Sequence, residues 1–309
     1  SVLKGEPQVV ENTTSWKKNY TPKRIETVDD PNVVLGRVID TEIVRMDTIV
    51  GKTNLIAVEG EKLLNYGYAK GYRNLIDYLM NYMQGKGVEL EGKDIQGILV
   101  THEHTDHVGG LSVFAAKHKI PIYAPNGTLL ALKQKGTLCE KHIDITLPDS
   151  PIEIAGLKIE NFKTSHDCAD GRGYVITGSD GSTKVAIATD TGYVTSDILS
   201  KITGCKLVYI ESNHDIAMLR SGPYPYTLQK RILSDIGHLS NDACADALRA
   251  LVNKGTTHFV LAHLSQENNT PDLAYKTATN ALCEMGALEN RDYILKIAEP
   301  ENNDKPLVI

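Results

Sequence analysis

The sequence predicts a layered α/β protein with mixed sheets, and three observations carry that prediction. Two apolar strand pairs are joined by turns at Gly156 and at Gly178-Ser179-Asp180-Gly181, the pattern of consecutive hairpins. After residue 207, short β-branched runs alternate with helical periods, the pattern of strand–helix units. Apolar residues make up 41% of 309 positions, enough for a sizeable core and too many for a disordered chain. That length allows one large domain or two unequal ones. No uncharged apolar run approaches the ~20 residues of a membrane span, so no membrane association is expected. Lys17, Lys18, Lys23 and Arg24 fall where a signal peptide would need an apolar core. Cys139, Cys168, Cys205, Cys244 and Cys283 include no C-x-x-C pair and fit reduced thiols and a cytoplasmic location. A formal net charge of −6 argues against nonspecific coating of nucleic acid while leaving room for a local basic groove.

The first forty residues are polar and mixed, with turn signals at Val9-Val10-Glu11-Asn12-Thr13-Thr14 and Asp29-Asp30-Pro31-Asn32. Residues 1–50 are read as an N-terminal extension or peripheral segment, and 51–309 as the main domain. Strand-like runs follow at Glu42–Val44 and Thr53–Val58. Tyr72, Leu75, Ile76, Leu79, Met80 and Met83 recur at three- and four-residue steps and predict an amphipathic helix whose stripe packs in the core. Ile98–Val100 is then a strand, Gly109–Lys117 a helix and Ile120–Ala124 a strand. Ile152–Ile154 and Leu157–Phe162 form one hairpin, Tyr174–Thr177 and Lys184–Ala188 the next. Strand Leu207–Ile210, helix Asn241–Val252, strand His258–Ala262 and helix Pro271–Met285 complete the pattern.

The chemistry is concentrated in Thr101-His102-Glu103-His104-Thr105-Asp106-His107. Just past the end of a buried strand, three of the chain's ten histidines fall within the six residues 102–107, together with two carboxylates. Alternating His102 and His104 can point the same way from an extended loop. Asp106 and His107 then open a helix, where side-chain directions diverge, so one short loop can offer ligands to two adjacent cations. Imidazole and carboxylate suit zinc, manganese or iron. The helical zincin motif H-E-x-x-H is excluded, because the residue four after His102 is Asp106.

The motif His102-x-His104-x-Asp106-His107 after an apolar strand resembles the signature of the metallo-β-lactamase-fold hydrolases. That resemblance implies a four-layer αβ/βα sandwich with a dinuclear site at the sheet edges. It implies His166 as the third histidine of the first metal site, Asp190 as the carboxylate bridging both metals, and His263 as the last ligand of the second. Two divalent cations are expected, zinc first and manganese or iron as alternatives. A bridging Asp is the pattern of the nucleases, thioesterases and lactonases of the fold rather than of its β-lactamases. Farther on, Glu211-Ser212-Asn213-His214-Asp215, Gly222-Pro223-Tyr224-Pro225-Tyr226, Gly237-His238-Leu239-Ser240-Asn241 and His263-Leu264-Ser265-x-Glu267-Asn268-Asn269 are similar to the YycJ-type bacterial DNA exonucleases. Asn65 stands where the family has an Asp.

The expected activity is therefore phosphodiester hydrolysis of DNA by a hydroxide held between the two cations and oriented by Asp106. Glu211 and His238 resemble a proton-donating pair in transfer-RNA 3′-end endonucleases of the same fold. The segment Ala217–Arg231 contains Arg220, Lys230 and Arg231 with Tyr224 and Tyr226 and no acid; cations of this kind bind phosphates while tyrosines stack on bases. The rival readings are a small-molecule hydrolase (thioesterase, lactonase or β-lactamase-like) using the same ligands, and a metal-bound regulatory or scaffold protein without turnover.

Overall fold

The computed structural model describes residues 95–298, together with the backbone of three strands before them, β1 (Val34–Val38), β2 (Thr41–Ile49) and β3 (Lys52–Glu59). The helix expected around Tyr72–Met83, and Asn65, lie outside the described residues.

Two mixed sheets face each other. The first continues with β4 (Ile95–Leu99), β5 (Ile122–Ala124) and β6 (Asp144–Thr146), in the order β1-β2-β3-β4-β5-β6. Its β1–β3 ladder is antiparallel and its β3–β6 ladder parallel. Two strands that precede residue 50 are thus hydrogen-bonded into the same sheet as β3, and the sequence boundary at 50 falls between paired strands. Parallel neighbours need crossovers, and α2 (Leu111–His118) and α3 (Asn126–Gln134) supply them, after the short α1 (Thr105–Val108). The sequence left α3 unassigned.

The second sheet holds the two hairpins. In it β7 (Ile152–Ile154) turns through Ala155 and Gly156, both at positive φ, into β8 (Leu157–Lys163). These are the conditions of a tight hairpin turn. Next come β9 (Arg172–Thr177), β10 (Lys184–Ala188), β11 (Leu207–Glu211), β12 (His258–Ala262) and β13 (Ile294–Ile297), in the order β13-β12-β11-β10-β9-β8-β7. Strands β10 to β13 are parallel. Strands β9, β11 and β12 are buried at every position, which is why Tyr174–Ile176, Leu207–Ile210 and Phe259–Ala262 within them read as apolar runs rather than alternating ones.

The packing explains both faces. Between the sheets lies an apolar layer that includes Leu99, Leu157, Ile159, Tyr174, Ile187 and Tyr209. On the far side of the second sheet, α4 (Ser196–Ile202), α7 (Asn241–Asn253) and α8 (Pro271–Glu284) bury Ile198, Ile202, Leu248, Leu251 and Leu282 against Val208, Ile210 and Leu261. Each of these helices begins on a hydroxyl cap: Thr195 accepts from the Ile198 N–H, Ser240 from Ala243, and Thr270 from Leu273. Two shorter helices, α5 (Ile216–Ser221) and α6 (Tyr226–Ile232), stand at the sheet edge. The result is the four-layer helix–sheet–sheet–helix sandwich. No helix among the described residues is long and apolar enough to cross a membrane. All five cysteines are free thiols.

Candidate metal centre

Strand register sets half of the centre. Ala188 of β10 lies opposite Ile210 of β11, and Glu211 opposite Ala262 of β12. Asp190, Glu211 and His263 therefore leave one edge of the sheet from adjacent parallel strands, spaced laterally by roughly 4.8 Å. Asp190 and His263 both turn into the left-handed region, at φ 56° and 58°. For a non-glycine residue that conformation costs roughly 1–2 kcal/mol, and such strain gathers at functional sites.

The first sheet supplies the other half. After β4, the Val100 N–H donates to the Tyr123 carbonyl at 3.0 Å, and the Tyr174 hydroxyl donates to the Val100 carbonyl at 2.5 Å. The Arg172 N–H donates to the Thr101 carbonyl at 2.9 Å, so the loop bearing His102 is pinned to the second sheet. Glu103, buried beside it, accepts the Ala169 N–H at 2.8 Å and ties this loop to the one bearing His166.

These loops bring together all seven residues that the sequence proposed as ligands. One ligand atom from each of His102, His104 and His166 falls within a 4.8 Å set, and so does one from each of Asp106, His107 and His263. Asp190 joins a set with His102 and His107 and another with Glu211, His238 and His263. His166 Nε2 is 3.2 Å from His104 Nδ1, while its Nδ1 is satisfied by the Gly237 carbonyl at 3.0 Å. That bond places the proton on Nδ1 and leaves Nε2 as a lone pair for a cation. His263 Nε2 and His107 Nε2 lie 3.3 and 3.6 Å from Asp190 Oδ1. His102 Nε2, both nitrogens of His107 and Asp190 Oδ2 are buried with no hydrogen-bond partner. Buried polar atoms are ordinarily paired, so converging lone pairs of this kind fit divalent cations.

The electrostatics fit as well. Burial works against the Asp190 carboxylate, yet the imidazoles of His263 and His107 hold it well below the usual carboxylate range. Burial would likewise lower His107, but Asp190 beside it holds that imidazole up at about 9. Burial and the charge of His107 push His102 well down. Without cations, the charge of the carboxylate is thus met by a proton on His107.

Glu211 is fully buried and accepts four donors. Its Oε1 takes His263 Nδ1 at 2.5 Å and His238 Nδ1 at 2.8 Å; its Oε2 takes the N–H groups of Thr191 at 2.8 Å and Leu239 at 3.2 Å. The two imidazoles outweigh its desolvation and bring it down to about 2. The sequence paired Glu211 with His238 and missed its bond to His263. His238 does not cap α7, since Ser240 does that.

Sequence reasoning also gave no role to Asn213, whose amide donates to the His263 carbonyl at 2.8 Å, or to the buried Asn241–Asn269 pair. Asn269 Nδ2 donates to the carbonyls of Ser212 and Asn213 and so holds the strand end that carries Glu211. The signal was present in Glu211-Ser212-Asn213 and Glu267-Asn268-Asn269, where polar residues interrupt apolar strand ends.

A cleft of about 480 Å³ opens over the centre, lined by His104, Asp106, His238 and His263 on one side and by Tyr224, Leu228 and Arg231 on another. Of the five residues expected to contact nucleic acid, Tyr224 and Arg231 line this cleft; Arg220, Tyr226 and Lys230 are exposed elsewhere. The stretch is acid-free in sequence but not in space, because Arg231 is paired with Asp167.

A model of the beta-lactamase superfamily domain matches residues 73–264. The exodeoxyribonuclease YycJ of Bacillus anthracis is 39% identical over 202 residues, 65% of this chain and 76% of that protein. The exodeoxyribonuclease WalJ of Streptococcus pneumoniae is 36% identical over 195 residues, 62% of this chain and 72% of that protein. The crystal structure of the metallo-beta-lactamase fold protein YhfI from Bacillus subtilis superposes with a TM-score of 0.58 at 16% identity, covering 88% of this chain and 96% of that one. With the ligand motif, the sandwich and these relatives in agreement, the chain belongs to the metallo-β-lactamase-fold superfamily of metal-dependent hydrolases, within its YycJ/WalJ family.

Proposed function

We propose that this chain is a dinuclear metal-dependent phosphodiesterase that removes nucleotides from DNA. The observation that carries the reading is the Glu211–His238 pair set against the ligand cluster at the floor of one cleft, in a chain whose relatives are named exodeoxyribonucleases. His102, His104 and His166 would hold one divalent ion, and Asp106, His107 and His263 the other, with Asp190 shared; the donor set favours zinc. Such a pair of ions supplies Lewis-acid polarisation and water activation for in-line displacement at phosphorus.

The remaining steps belong to side chains of this chain. Asp106, with its side chain 46% exposed, reaches the cleft mouth and orients the attacking oxygen. His238, which lines the cleft, donates from Nδ1 to Glu211; as the doubly protonated imidazolium, braced by that carboxylate, it gives its Nε2 proton to the departing alkoxide and is left as the neutral Nδ1–H tautomer. The same carboxylate fixes the tautomer of His263, so ligand geometry and proton donation share one brace. Purified, zinc- or manganese-loaded protein is assayed on single- and double-stranded DNA, RNA, a thioester, a lactone and a β-lactam. Release of mononucleotides from DNA, abolished by chelation, is the expected result. Turnover confined to the thioester, lactone or β-lactam would replace this reading by a small-molecule hydrolase.

A further inference from the structure

Three consecutive residues dock the His166 loop on the segment that leads to His238. The Ser165 hydroxyl donates to the Asp235 carbonyl at 2.6 Å, His166 Nδ1 meets the Gly237 carbonyl at 3.0 Å, and the Asp167 N–H donates to the Ile236 carbonyl at 3.1 Å. Those bonds hold the two segments together without the Asp167 side chain. The carboxylate does something else: it fills the fork of Arg231, Oδ1 accepting from Nη2 at 2.7 Å and Oδ2 from Nε. The same Oδ1 lies 3.6 Å from His166 Nε2, the nitrogen turned to the ligand cluster. Arg231 is the single lysine or arginine among the described residues that line the cleft, and Asp106 is a second acid that stabilises its charge.

The guanidinium fork matches a phosphate as well as it matches a carboxylate. The pair is also replaceable. Its side chains are 45% and 23% exposed, and ion pairs this open to water contribute little net stability. We propose that Arg231 is the phosphate clamp of this cleft, and that Asp167 occupies the clamp in the free protein until a substrate phosphate displaces it. The proposal rests on the phosphodiesterase reading. It makes Arg231 a specificity residue and Asp167 a positioning residue that acts through it.

A phosphate that competes with Asp167 gives the two residues opposite signs. On metal-loaded protein, Arg231→Gln should raise KM for a single-stranded deoxyoligonucleotide about ten- to hundredfold, the usual scale for a hydrogen bond to a charged group. It should change kcat little and make the log–log salt slope shallower by about one. Asp167→Asn should lower KM about two- to fivefold, the worth of the exposed pair it removes. Calorimetric titration with inorganic phosphate should move in the same two directions, with metal content unchanged, and the double variant should match Arg231→Gln. Arg231→Lys, which keeps the charge and loses the fork, serves if the glutamine variant does not fold. A bridge that only docks α6 would make both single variants bind more weakly, and that result overturns the proposal. If the protein cleaves no DNA yet the phosphate titrations diverge in sign, the nuclease reading fails and the clamp stands. If DNA is cleaved and both variants weaken binding, the clamp fails and the nuclease reading stands.

Discussion

Replacing Glu211 by Gln exchanges one carboxylate oxygen for an NH₂ group and offers the site no good arrangement. The native carboxylate accepts from two imidazole Nδ1 atoms on Oε1 and from the Thr191 and Leu239 N–H groups on Oε2. If the glutamine oxygen faces the imidazoles, its NH₂ meets two buried backbone donors. Two unmet N–H groups cost about 2–6 kcal/mol, at 1–3 each. If the amide is flipped, its NH₂ meets both imidazoles, and their Nδ1 atoms must become acceptors. The proton of His263 then moves to Nε2, the atom 3.3 Å from Asp190 that ligation requires. Loss of such an outer brace lowers metal affinity by about 10–100-fold. The first arrangement is read by thermal unfolding of the chelated protein, the second by competition with a chromogenic chelator. One or both should move by these amounts. The sign of the pH dependence is fixed as well. Glu211 is held down to about 2, so its stabilisation is fully present above the ordinary carboxylate range. That stabilisation is lost as pH falls toward about 2, and the gap between wild type and variant narrows with it. A Glu211→Gln protein with unchanged unfolding temperature and unchanged metal affinity at neutral pH would refute the shared-brace argument.

Three further outcomes are expected. His238→Ala should retain its metals and slow DNA cleavage by ~10²–10⁴-fold, the scale of a general acid; the loss should shrink on a nitrophenyl phosphodiester, and equal losses on both substrates would leave His238 a positioning role only. Gly237→Ala should lower the unfolding temperature, because an added Cβ would stand 2.2 Å from the Ile232 carbonyl oxygen and 2.3 Å from that of Arg231; overpacking of this kind costs about 1–3 kcal/mol, and an unchanged transition would contradict the close approach. Metal binding should release a proton from His107, held up at about 9 in the metal-free site. Affinity should therefore rise about tenfold per pH unit from neutrality and level off above pH about 9. Calorimetry in buffers of different ionisation enthalpy counts the proton, and a pH-independent affinity between 7 and 9 would remove the linkage.

The sequence was most legible where chemistry is local. His102, His104, Asp106 and His107 lie on one loop, so their spacing alone pointed to cations, and the strands Lys184–Ala188 and His258–Ala262 were bounded as found because they are short apolar runs between turn residues. His166, Asp190 and His263 are single residues at separate strand ends, and only family resemblance could gather them. What the sequence could not show was pairing across the chain. Asp167 is 64 residues from Arg231, so an acid-free segment acquired a carboxylate on folding. Strand β1 was missed because Val34–Val38 contains Gly36 and Arg37 and becomes a strand through its ladder with β2 rather than through its own pattern.

The strained residues follow from the same geometry. Neighbouring parallel strands stand about 4.8 Å apart, so groups leaving β10 and β12 start roughly twice that far from each other and converge only where the backbone bends toward the gap. Asp190 and His263 flank β11 and both adopt positive φ, and their side chains close to 3.3 Å beyond the end of the strand between them. Glu211, on that middle strand, keeps regular geometry within β11 and braces His263 from beneath. The strain therefore falls on the two residues whose atoms must converge, and the residue that only orients them escapes it. Such strain persists when the surroundings over-determine it. Here the Thr191 N–H bond to Glu211 and the Asn213 amide bond to the His263 carbonyl hold the two bends from the same β11 edge. The polar residues that break the apolar run after Ile210 are thus part of the centre's construction: they hold a ligand cluster that register alone would leave open.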